Sequence, residues 1–143
     1  MTTMKTARKT LNRAFAEFDQ AHGDLEKIRQ AAEKGWRAAR EAVYTVLHAY
    51  GIEPGRGTWS EERVGAFEAD RLGRPREEGQ PLTDGYARGM KTLHGKYFYE
   101  DDLPSDLEYV HGELKRTQAL LDCAERDISA APPRSRRGRR KAA

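Results

Sequence analysis

"LEKIRQAAEKGWRAAREAVYTVLHAY", residues 25–50, decides the fold. Leu25, Ile28, Ala32, Trp36, Ala39, Val43, Val46 and Tyr50 recur at steps of three and four, the spacing of one helix face. Ala38, Ala39 and Ala42 let a neighbouring helix approach closely. At the usual rise per residue the segment is a rod of about 40 Å. Asp24 predicts its start, because a carboxylate there accepts from free backbone N–H groups. Gly51 and Pro54 predict its end. A rod apolar along one stripe needs other helices to cover that stripe.

The flanking sequence supplies them. Met4, Ala7, Leu11, Phe15 and Phe18 predict a helix from about Thr3 to Ala21, with a break at His22-Gly23-Asp24. After the loop GIEPGRGTW (51–59), Ser60 predicts the cap of a short helix over Glu61–Leu72 that buries Val64 and Phe67. GRPREEGQP (73–81) reads as a second loop. Thr83 or Asp84 then caps a helix running through Tyr99, with Tyr86, Met90, Leu93 and Tyr97 inward. Gly85, Gly89 and Gly95 weaken it by up to about 1 kcal/mol each relative to alanine. It is therefore either the least rigid long helix or one packed closely on a partner. Ser105 predicts the cap of a last helix with Leu107, Val110, Leu114, Thr117, Leu121, Ala124 and Ile128 on one face, stopped by Pro132-Pro133. No segment alternates as a β-strand does. The expected fold is all-α: an up-and-down bundle of four long helices and one short one over residues 1–131.

Composition agrees. Of 143 residues, 37% are hydrophobic and 34% charged, which favours slender amphipathic helices over a thick sheet core. The net charge of +3 comes from the last twelve residues, where Arg134, Arg136, Arg137, Arg139, Arg140 and Lys141 stand without an acid. Setting those six aside from 26 basic residues leaves 20 against 23 acidic ones, a net of −3. The bundle is thus mildly acidic, and the tail, residues 132–143, is expected to be disordered and to bind nucleic acid by charge. One cysteine, Cys123, excludes an intrachain disulfide and suits a reducing cytoplasm. The basic N-terminus has no continuous apolar run, so it does not read as a signal peptide, and no stretch is long enough to span a bilayer.

Several chemistries lack their residues. A di-iron bundle needs two Glu-x-x-His motifs; only Glu108–His111 is present, and it reads as a surface pair beside Lys115. One cysteine and four scattered histidines make no zinc pattern. Gly51, Gly55 and Gly57 precede a helix without a strand before or a GK[ST] after, so they are turn glycines. No serine sits in a nucleophile elbow. No metal or cofactor is expected. Arg88 and His94, in "RGMKTLH", remain. A histidine can move a proton at a ribose hydroxyl or leaving oxygen, and an arginine can stabilise charge on phosphate. Lys91, on the same face as His94, adds a cation for binding nucleic acid. Six residues of α-helix turn the chain by about 240°, so a regular helix does not put the pair on one face. Against this stands a structural role: His94 flanking the core and stacking on Phe98.

"QAAEKGWRAAREAV" (30–43) and "LHGKYFYE" (93–100) resemble the HEPN family of helical nucleotide-binding domains, with the nearest look to its archaeal paREP-type branch. The likeness spans about residues 4 to 128. It implies a four- or five-helix bundle, often dimeric. Some members are metal-independent endoribonucleases or toxins that use an Arg-x(4–6)-His motif, which Arg88 and His94 fit. In some toxin–antitoxin pairs the partner is a small nucleotidyltransferase. Other members are non-catalytic binding or scaffold modules. The chain departs from the pattern at Gly89, where a polar residue is usual, and in one extra residue between His94 and Phe98. The resemblance implies an RNA- or nucleotide-acting protein with Arg88 and His94 as its site; the alternative is a scaffold module working through protein contacts. A further reading, independent of the family, is a helical structural protein whose only nucleic-acid contact is its tail. Gly85 and Gly89, four apart, predict a small-residue strip at a two-fold interface that brings two copies of His94 together.

Overall fold

The computed structural model describes residues 3–133, and every regular element among them is helical. Helix α1 spans Met4–Ala21, α2 Leu25–Ala49, α3 Glu61–Leu72, α4 Pro81–Arg88 and α5 Glu108–Ser129. A single 3₁₀ turn covers Arg76–Glu78, and α4 runs directly into a π-helix over Gly89–Tyr99. No described helix is long and apolar enough to cross a membrane.

Helix α2 is the central rod, packed on α1, on α5 and on the continuous α4–π segment. Its start is fixed as expected: Asp24 accepts from the backbone N–H groups of Glu26 (3.1 Å) and Lys27 (3.3 Å). His22 and Gly23 take left-handed backbone conformations to make the turn before it. The inward stripe is Ile28, Ala32, Trp36, Ala39, Val43 and Val46, broadened by Ala31, Ala38, Ala42 and Leu47. Leu25, expected on that stripe, is 56% exposed. Small residues set how near the rods come. A Cβ on Gly35 would lie 2.6 Å from Leu114 Cδ2 and 3.1 Å from Leu93 Cδ1, so α5 and the π-helix both press against α2 there.

The loop 51–59 contributes to the core. Trp59, read as a loop residue, is 5% exposed. The Tyr44 hydroxyl donates to Gly57 O (2.6 Å) and accepts from Trp59 N–H (3.0 Å), while the Tyr86 hydroxyl donates to Trp59 O (2.7 Å). The two tyrosines satisfy the backbone that an inward-turned loop would otherwise bury unpaired.

Two helix starts differ from the sequence reading. Helix α4 begins at Pro81, not after a Thr83 or Asp84 cap, because a remote carboxylate serves its N-terminus. Glu68 of α3, fully buried, accepts from Leu82 N–H (3.1 Å), Thr83 N–H (2.8 Å) and the Thr83 hydroxyl (2.7 Å). Arg74 balances its charge at 2.7 Å and forks onto Asp127 of α5 at 2.9 and 2.7 Å. Helix α5 begins at Glu108, not after Ser105; Leu107 precedes it, and Asp106 accepts the Glu108 N–H at 3.0 Å.

Gly85 and Gly89 do not form a free strip for a second copy. A Cβ on Gly85 would meet Leu120 Cδ1 of α5 at 3.0 Å, and one on Gly89 would meet Trp36 Cε3 of α2 at 3.2 Å. Both glycines are used for packing within the chain, which removes that reason for placing a two-fold axis on this helix.

Candidate functional site

The Arg88-to-His94 motif lies where α4 changes winding. From Gly89 onward the backbone bonds skip five residues, as in Glu100 N–H to Gly95 O at 2.9 Å. The wider turn keeps every fourth residue inward, and Gly89, Leu93 and Tyr97 are the buried ones. Met90, expected inward, is only partly buried, because the inward row has shifted to Gly89. A side chain at Gly89 would meet the Trp36 ring.

His94 is held by α2. Its Nδ1 lies 2.8 Å from Glu33 Oε1 and 3.1 Å from Oε2. A carboxylate only accepts, so Nδ1 carries the proton that joins them. Nε2, on the far side of the ring, has no hydrogen bond to a described residue. The side chain is 39% exposed and Glu33 21%. Aromatic rings surround the imidazole: Phe98 stacked at 6.3 Å and 23°, Tyr99 at 6.3 Å and 43°, and Trp36 at 6.0 Å and 38°. The stack on Phe98 is the one that the structural reading of His94 expected.

Arg88 is held by α5. Its Nε lies 2.8 Å from both Glu113 oxygens and its Nη2 2.6 Å from Oε1. Hydrogen bonding to Glu113 raises its already high pKa, so the guanidinium stays charged. Glu113 is 7% exposed and Arg88 50%, so the fork is anchored inside, and Nη1 has no hydrogen bond to a described residue. Arg116 flanks the same carboxylate at 3.7 Å.

Lys91 turns elsewhere. Its ammonium pairs with Glu61 of α3 at 2.7 Å, and that hydrogen bond raises its pKa. The three motif residues are thus tied to three different helices, and no ion pair or hydrogen bond joins them to one another. Arg29 of α2 laces the end of the π-helix: it donates to Phe98 O (2.5 Å), pairs with Asp101 (3.0 Å) and lies 5.4 Å from the Phe98 ring centre. Glu33 of α2 thus bonds across to the π-helix through His94. Glu113 was not singled out. Its signal is faint: a glutamate inside the α5 stripe, between Val110 and Thr117, where a charge needs a partner.

His111 of α5, read as half of a surface pair with Glu108, also packs its ring on α1, 5.4 Å from Phe15 and 5.3 Å from Phe18. Its Nδ1 is 3.9 Å from Glu108. Among the described residues no group of three or more His, Cys, Asp or Glu is placed to hold a metal ion. The tail cations Arg134, Arg136, Arg137, Arg139, Arg140 and Lys141 lie outside the described residues.

No protein-family model, curated protein or solved structure matches the chain.

Proposed function

We propose that this is a HEPN-like protein that acts on RNA through a metal-independent site centred on His94, with Arg88 as its phosphate-facing cation. One observation carries the reading: each member of the motif is backed by a carboxylate from a different helix, Glu33 behind His94 and Glu113 behind Arg88. In both cases the inner edge of the side chain is tied and the outer edge is left for a ligand.

The chemistry follows from those edges. The ribose 2′-oxygen attacks the adjacent phosphorus, and the bond from phosphorus to the 5′-oxygen breaks, leaving a 2′,3′-cyclic phosphate. His94 Nε2 takes the hydroxyl proton or delivers one to the departing oxygen; Glu33 stabilises the imidazolium in either direction. Arg88 Nη1 meets charge building on the phosphate. A second copy of the chain and a small nucleotidyltransferase are the protein partners in this reading, with the basic tail adding sequence-independent affinity for RNA.

His94→Ala should lower the cleavage rate about 10²–10⁴-fold by removing the proton carrier. Arg88→Lys keeps the charge but loses the planar fork, so it should cut the rate while RNA binding changes little. Glu33→Gln should also slow the reaction, because a neutral amide no longer stabilises the imidazolium. Rates unchanged in His94→Ala and Arg88→Lys would reject the site.

A second reading has its own observation. Arg88 spends Nε and Nη2 on Glu113, and His94 spends Nδ1 on Glu33, which is how interhelical clamps look. A non-catalytic scaffold module predicts that both substitutions lower thermal stability while even the wild-type chain leaves RNA intact.

A further inference from the structure

We infer that Tyr99 is a base-stacking platform beside His94 that positions an unpaired nucleotide. The inference rests on the RNA-acting reading of His94 and adds a substrate-positioning residue.

Tyr99 closes the π-helix and is 78% exposed, while its near neighbours Trp36 and Tyr97 are each 6% exposed. The backbone around it is fixed on both sides. Glu100 N–H reaches Gly95 O and Asp102 N–H reaches Lys96 O, each at 2.9 Å, and Arg29 grips Phe98 O at 2.5 Å and Asp101 at 3.0 Å. An aromatic ring held open on an anchored backbone loses little freedom when a flat ligand covers it. Its centre is 6.3 Å from that of His94. A base stacked on Tyr99 therefore sets its nucleotide beside the imidazole.

Charge sets the direction. Arg29 matches Asp101, while Glu100 and Asp102 are exposed and repel phosphate. The sugar–phosphate chain therefore leaves Tyr99 toward His94 and the exposed Lys96. A duplex offers no free base face, so only an unpaired nucleotide fits.

The test measures binding of the full-length chain to a labelled, non-cleavable 2′-O-methyl single strand, and to its duplex, at one salt concentration. The tail is then the same in every arm. Tyr99→Ala should weaken single-strand binding about ten-fold and leave duplex binding unchanged, and Tyr99→Trp should restore it. Equal affinity in Tyr99→Ala, or a loss that tryptophan does not restore, overturns the inference. An exposed side chain is not needed for folding, and an unchanged circular dichroism spectrum checks this. Tyr99-dependent binding without any cleavage would support the platform and overturn catalysis alone. Absence of RNA binding in the wild type overturns both.

Discussion

A carboxylate behind a histidine fixes which ring nitrogen is left open, and Glu33 does so for His94. The sequence made His94 a candidate through the motif and the resemblance. It could not show which carboxylate holds the ring, since Glu33 lies 61 positions away and Glu113 lies 25 from Arg88. Pairing over such distances depends on how helices rotate against each other, which periodicity leaves open. A different glutamate gives a pH prediction. Burial raises the Glu41 carboxyl pKa, against the opposing Thr10 hydrogen bond and the charges of Arg37 and Arg40. Folding thus disfavours its ionised form: its stabilising contribution is full below the unfolded pKa and is lost as pH rises through the folded one. Glu41→Gln keeps an oxygen for the Thr10 hydroxyl and removes the charge. Its thermal midpoint should exceed that of wild type by about 1–3 °C at pH 7, with the gain shrinking toward pH 4. A gain that grows on acidification would contradict the sign.

At the scale of elements, α1, α2 and α3 were legible because their ends carry local signals: Asp24 caps α2, and Ser60 accepts the Arg63 N–H at 3.2 Å. Helix α4 was not, since its capping carboxylate comes from another helix. The π-winding was also hidden. Three glycines signalled a weak helix, but the wider turn is fixed by Trp36 against Gly89 and by Leu93 against Gly35. The Glu68–Arg74–Asp127 network ties α3, α4 and α5 together, and its two carboxylates are buried. Glu68→Ala leaves Arg74 short of a charge and the Leu82 and Thr83 N–H groups short of an acceptor. It should cost about 3–5 kcal/mol in denaturant unfolding. A loss below about 1 kcal/mol would mean that water or local capping replaces the glutamate.

For the whole molecule, charge separates two modes of contact. The bundle is net acidic, and its proposed site is a small patch at the π-helix; in the same proposal the six tail cations supply long-range attraction. Deleting residues 132–143 should remove most nonspecific affinity, along with a log–log salt slope near about −5 on duplex DNA. Affinity and slope that survive the deletion would make the bundle surface the binder. The proposed chemistry rests on His94, and the products of cleavage test it most directly. Mixed RNAs incubated with the wild-type chain in EDTA should yield 2′,3′-cyclic phosphate ends, while 2′-deoxy substrates and His94→Ala yield none. RNA left intact by the wild type, or cleavage that needs a metal ion and leaves no cyclic phosphate, would contradict the account.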